Sequence, residues 1–147
     1  MTSTFTVKRA FPYFLAFLFP IFIMVIVLIS NEIWWGSDRT ILASDGFHQY
    51  VIFAQNLRNI LHGSDHIFYT FTSGLGLNFY ALMSYYLGSF LSPFYYFFSL
   101  ETIPDAVYLF TLLKFGFSGL SMFTALRKLY NIVNKVLLLS LSTSYAL

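Results

Sequence analysis

Cysteine is absent from all 147 residues, which excludes disulfides, thiolate metal ligands and cysteine nucleophiles. Charge is almost as scarce. Eight Lys and Arg stand against six Asp and Glu, a net of +2, and no basic run exceeds two residues, so a nucleic-acid surface is excluded as well. What remains is apolar and aromatic: 58% of residues are hydrophobic, 22% are Phe, Trp or Tyr, and mean hydropathy is +0.71. A chain of that composition has the bilayer as its solvent.

Lys8 and Arg9 precede nineteen uncharged residues from Phe11 to Ile29, long enough to cross a hydrocarbon core of about 30 Å. No small-x-small cleavage site follows Ser30, so an uncleaved first span over 11–30 is expected, bent at Pro20. The basic pair places residues 1–10 in the cytoplasm and 31–78 outside. Further spans are expected over 79–100 and 105–126, and 136–147 starts a fourth, as in the amino-terminal part of a longer protein. Ser84, Gly88 and Ser92 give the second span a small-residue face, and Pro93 kinks it. This order puts Arg127, Lys128 and Lys135 outside, against the positive-inside tendency. Either the second apolar stretch re-enters without crossing, or later spans override the local bias; the reading taken is the second.

The external loop holds most of the polar chemistry. Phe47, Tyr50, Val51, Ala54, Leu57 and Leu61 recur at helical spacing, predicting an amphipathic helix over about 46–61 that lies on the membrane. His48, Gln49, Gln55, Asn56 and Asn59 fill its opposite face. Asp45, His48 and Gln49 stand at i, i+3 and i+4 and share one side of an α-helix. Asp45 can cap the helix and, at once, serve with Asp38 as a general base or cation ligand; His48 would orient a substrate oxygen or carry a proton, and Gln49 would bind substrate beside it. Asp45, His48, Asp65 and His66 together offer a divalent-cation alternative, while Arg58 and His62 read as interfacial side chains. Gly74 and Gly76, ahead of Asn78, form either a flexible return to the bilayer or a loop whose amides approach a phosphate. Lys114 falls in mid-span, with Thr111, Ser118 and Ser121 on its stripe. An ammonium there pairs with an anion, which is either a lipid phosphate or a carboxylate on another helix.

Four further stretches complete a pattern begun by the basic first span. They are Ser44 to Tyr50, Phe71 to Asn78, Tyr85-Tyr86-Leu87-Gly88-Ser89 with Ser92-Pro93-Phe94, and Leu113-Lys114-Phe115-Gly116. In that order the chain resembles the amino-terminal part of YfhO-family bacterial membrane proteins. The resemblance implies an all-α, polytopic, GT-C-like glycosyltransferase of the bacterial cell membrane with a helical extracytoplasmic first loop. It implies a polyprenyl-phosphate-linked sugar as donor and a cell-envelope polymer such as lipoteichoic acid as acceptor. Asp45 matches the acidic residue that acts as base or acceptor ligand in such enzymes; the adjacent acidic partner that many carry is here Gly46. Two other readings stand beside it: a transporter or permease component whose path Lys114 lines, and a non-catalytic assembly protein.

Overall fold

The computed structural model describes residues 3–130 and 134–147, with side chains from Ala10 onward. The described residues form helices and turns, with one isolated bridge and no strand. They divide into two compact units, one of 1–34 with 111–147 and one of 35–110.

The first unit is built on α1, Ser3–Ser30, the carboxy-terminal part of α4, Ile103–Leu129, and α5, Lys135–Ala146. Two helices are long and apolar enough to cross a membrane, Ala10–Ser30 and Ile103–Leu129. Ala16, Phe123, Leu126 and Leu138 form the core. Tyr13 meets Phe123 edge to face at 5.0 Å, Phe17 meets Phe117 at 5.1 Å, and Gly116 abuts Phe17 and Ile21. Contacts that climb α1 while descending α4 make the two helices antiparallel. Gly119 permits the approach, because a Cβ there would stand 2.5 Å from the Ala16 carbonyl oxygen and 2.8 Å from Pro20. Small residues at such a crossing bring backbones within van der Waals range, the main source of attraction where lipid competes for apolar surface. Arg127 lies 5.2 Å from the centre of the Tyr13 ring, so the cationic end of α4 stacks on the amino-terminal part of α1. Asn134 caps α5 by accepting from the amides of Val136 and Leu137.

The second unit is organised around α2, Ile52–Leu61, which continues from a π-helical turn over Gly46–Val51. Val51, Phe53, Ala54 and Leu57 are buried, whereas Phe47, Tyr50 and Leu61 at the two ends remain exposed. Asn56, expected on the wet face, is only 4% exposed. The helix is thus covered on more than its apolar side, and its polar residues are bonding positions.

The stretch 79–100, expected as one membrane-crossing helix, forms two short pieces. α3 covers Phe79–Tyr86 and a 3₁₀ turn covers Ser92–Phe97. The Ser84 hydroxyl donates back to the Tyr80 carbonyl at 2.8 Å, and the chain leaves helical geometry at Leu87, ahead of Gly88. Pro93, which lacks an N–H, then fits the first turn of the 3₁₀ segment, where no donor is needed. At Phe98 the chain turns extended, and Ser99 and Thr102 exchange bonds that start α4. In its first turn Asp105 accepts from the amide of Gly36 at 2.9 Å, and the rings of Trp35 and Phe98 lie 6.3 Å apart. The beginning and end of this unit therefore meet.

Candidate functional site

Asp45 stands at the head of the π-helical turn, in helical geometry, and its carboxylate makes no capping bond. The cap reading of this residue has no counterpart in the structure. Ser44, immediately before it, takes φ +49°, a left-handed conformation that a residue with a Cβ rarely adopts. That kink aims the Ser44 carbonyl along the turn, where it accepts from the amides of Phe47 at 3.1 Å and His48 at 3.2 Å. Orphan amides at the helix start are thereby served by backbone, and the carboxylate is left for other partners. Strained residues and single π turns both recur at functional sites.

Four residues beyond Asp45, Gln49 stays on its side of the helix in α or π geometry alike. The His48 ring is exposed and set edge-on to Phe47 at 6.0 Å. Gln49 is half-buried, and its carbonyl accepts from the amide of Ile52.

Gly74 and Gly76 occupy the tip of a hairpin closed by paired bonds between Thr70 and Leu77, of 2.9 and 3.0 Å. Both have positive φ, +57° and +110°, and a Cβ on Gly76 would collide with the Tyr69 hydroxyl at 2.0 Å. The second glycine thus serves a tight turn under a tyrosine ring. Asn78 caps α3, its side-chain oxygen accepting from the Tyr80 amide at 3.0 Å. These three residues have local structural duties that spacing alone does not reveal.

A buried polar network ties the hairpin to α2. The Asn56 amide donates to Thr70 at 3.4 Å and to Thr72, and the two threonine hydroxyls lie 2.8 Å apart. On another side of α2, Gln55 donates to the Leu100 carbonyl at 3.0 Å and Arg58 to the Phe98 carbonyl at 2.6 Å. His62 stacks on Tyr96 at 4.3 Å. Arg58 and His62 thus hold neighbouring chain. Asn56 was not among the expected site residues; its signal was a carboxamide flanked at i−3 and i+1 by the apolar Phe53 and Leu57.

Substituting Asn56 by Ala should destabilise the second unit by about 1–3 kcal/mol, the usual cost of leaving buried polar groups unserved. Lower thermal stability in detergent and faster proteolysis within 70–77 are the expected readouts.

Among the described residues no three of His, Asp and Glu gather as metal ligands, so Asp45, His48, Asp65 and His66 do not form the cation site considered above. Asp65 instead accepts from the His66 amide at 2.8 Å. Lys114 belongs to the first unit. With Thr111, Phe115, Ser118 and Ala146 it lines a cleft of about 320 Å³, so part of the expected polar stripe is realised there.

Two long apolar helices and a polar unit folded around an amphipathic helix define a helical membrane protein. A family model described as bacterial membrane protein YfhO matches residues 16–147, and the chain belongs to that family. No curated protein and no solved structure matches it.

Proposed function

We propose that this chain carries the catalytic base of a membrane glycosyltransferase that uses a polyprenyl-phosphate-linked sugar and modifies a cell-envelope polymer. The observation that carries the proposal is the uncapped Asp45 carboxylate, fifteen residues beyond the end of α1, on a strained π turn whose helix is clamped by its neighbours. Clamping matters because a general base works only when held within hydrogen-bond reach of the proton it takes.

In the reaction, Asp45 removes the proton from an acceptor hydroxyl as that oxygen attacks the anomeric carbon. The bond from that carbon to the phosphate oxygen breaks, and the polyprenyl phosphate departs with the electron pair. Gln49, on the same side of the turn, positions the acceptor, with His48 at the exposed edge. The resemblance to GT-C enzymes supplies the donor and acceptor classes; the geometry supports the assignment of the base.

Membrane orientation follows from charge. Because α1 and α4 are antiparallel, Lys8 and Arg9 share one end of the pair with Arg127 and Lys128, and Lys135 begins α5. The positive-inside rule favours a cytoplasmic position for that end, and hence an extracytoplasmic one for Asp45, which follows the other end of α1 in the chain.

The test is transfer of a labelled sugar from a polyprenyl-phosphate donor by the full-length protein in proteoliposomes. Transfer by wild type and its loss in Asp45→Asn at matched expression are expected. Equal activity in the two would remove Asp45 from the mechanism, and no transfer by either would favour the transport reading centred on Lys114.

A further inference from the structure

No charged residue and no histidine lies between His66 and Glu101, yet this stretch contains no helix able to cross a membrane. α3, at eight residues, is about 12 Å long at 1.5 Å per residue, well short of the ~30 Å hydrocarbon core. Its apolar side chains are nevertheless presented outward: Leu75 is fully exposed, and Phe71, Tyr85 and Phe97 are 75–81% exposed. An unpaired surface of that kind in an aqueous loop would be an aggregation hazard.

We propose that 67–100 is a re-entrant, lipid-facing surface: it enters and leaves the bilayer at the face where α1 ends, and its partner is the acyl chains of that leaflet. Three observations carry this. First, the ends of the stretch are pinned on one side. A crossing at 79–100 would separate Asp105 from Gly36 by roughly a membrane thickness, whereas the two are hydrogen-bonded at 2.9 Å and Phe98 lies against Trp35. Second, non-helical backbone survives in lipid only where protein serves its polar groups. On the leaving limb α2 does so, through Gln55 and Arg58 to the carbonyls of Leu100 and Phe98; on the entering limb the backbones of Thr70 and Leu77 serve each other, while Asn56 holds the hydroxyls of Thr70 and Thr72. Third, Leu57, Ile60, Met83, Leu87, Phe90 and Pro93 line an open groove of about 610 Å³, an apolar bed for one hydrocarbon chain. With no crossing at 79–100, Lys8, Arg9, Arg127 and Lys128 fall on one side and Arg39 on the other, and the excess of cations then agrees with the positive-inside rule.

The test uses single cysteines in the membrane-inserted protein, since this chain has none of its own. Spin labels at Leu75→Cys and Phe97→Cys should collide with oxygen several-fold more than with a water-soluble nickel complex, and Asp38→Cys should show the reverse. Both target side chains are exposed, so the labels leave the packing intact. Glu101→Cys should react with an impermeant thiol reagent from the same side as Asp38→Cys. Labels at 75 and 97 open to the nickel complex, or shielded from both collision partners by other protein, would overturn the proposal. So would reaction of Glu101→Cys from the opposite side. None of these readouts depends on sugar transfer, so their failure is distinguishable from failure of the proposed activity.

Discussion

Replacing Asp45 by Asn should lower sugar transfer by about 10²–10⁴-fold, the range that a positioned general base contributes. The same substitution should leave stability within about 0.5 kcal/mol of wild type, the usual scale for an exposed site without special contacts. The separation is expected because the Asp45 side chain makes no capping bond, so Asn loses nothing structural, while the turn itself is held by the Ser44 carbonyl. Asp45→Glu retains a carboxylate one methylene further out and should recover part of the rate. Paired measurements of initial rate in proteoliposomes and thermal unfolding in detergent check both halves. A variant that lost stability and activity in parallel would show Asp45 to be a structural residue.

Introducing a leucine at Gly119 should separate α1 from α4. Even alanine meets the Ala16 carbonyl oxygen at 2.5 Å, and because that obstacle is backbone it cannot rotate away. Overpacking of this kind costs on the order of 1–3 kcal/mol per site, and leucine adds atoms directed at Pro20. The expected series is wild type more stable than Gly119→Ala, and Gly119→Ala more stable than Gly119→Leu, in detergent unfolding. Ser121→Ala, an exposed change on the same helix, should match wild type. A Gly119→Leu protein that unfolded like wild type would contradict the close crossing.

The elements that could be read from the sequence were those whose signal is a sustained period or run. The apolar run of α1 and the one of α4, interrupted by Lys114, are of that type, and so is the helical recurrence from Val51 to Leu57. What escaped was continuity. Composition makes 79–100 as apolar as a span, but Gly88 and Pro93, read as a packing site and a kink, lie in or beside the break that divides α3 from the 3₁₀ turn. The candidate site was legible as residues and less so as geometry. A π turn has no simple sequence signature, so the turn over Gly46–Val51 was not foreseen. The caps and turns made by Asn78 and Gly76, and the Asn56 network, depend on contacts with Tyr80, Tyr69 and the threonines, which no periodicity encodes. Gly119 takes its reason from the Ala16 carbonyl and Gly116 from the side chains of Phe17 and Ile21, contacts that no periodicity encodes.

The proposed mechanism requires Asp45, which follows α1 in the chain, to be extracytoplasmic while the basic residues that precede α1 and end α4 are cytoplasmic. Its most direct test is sidedness in intact cells, using an impermeant thiol reagent on Asp38→Cys and Lys128→Cys, both exposed positions. The account predicts that Asp38→Cys is labelled in intact cells and Lys128→Cys only after permeabilisation. Labelling of Lys128→Cys in intact cells with Asp38→Cys protected would place Asp45 in the cytoplasm and contradict it.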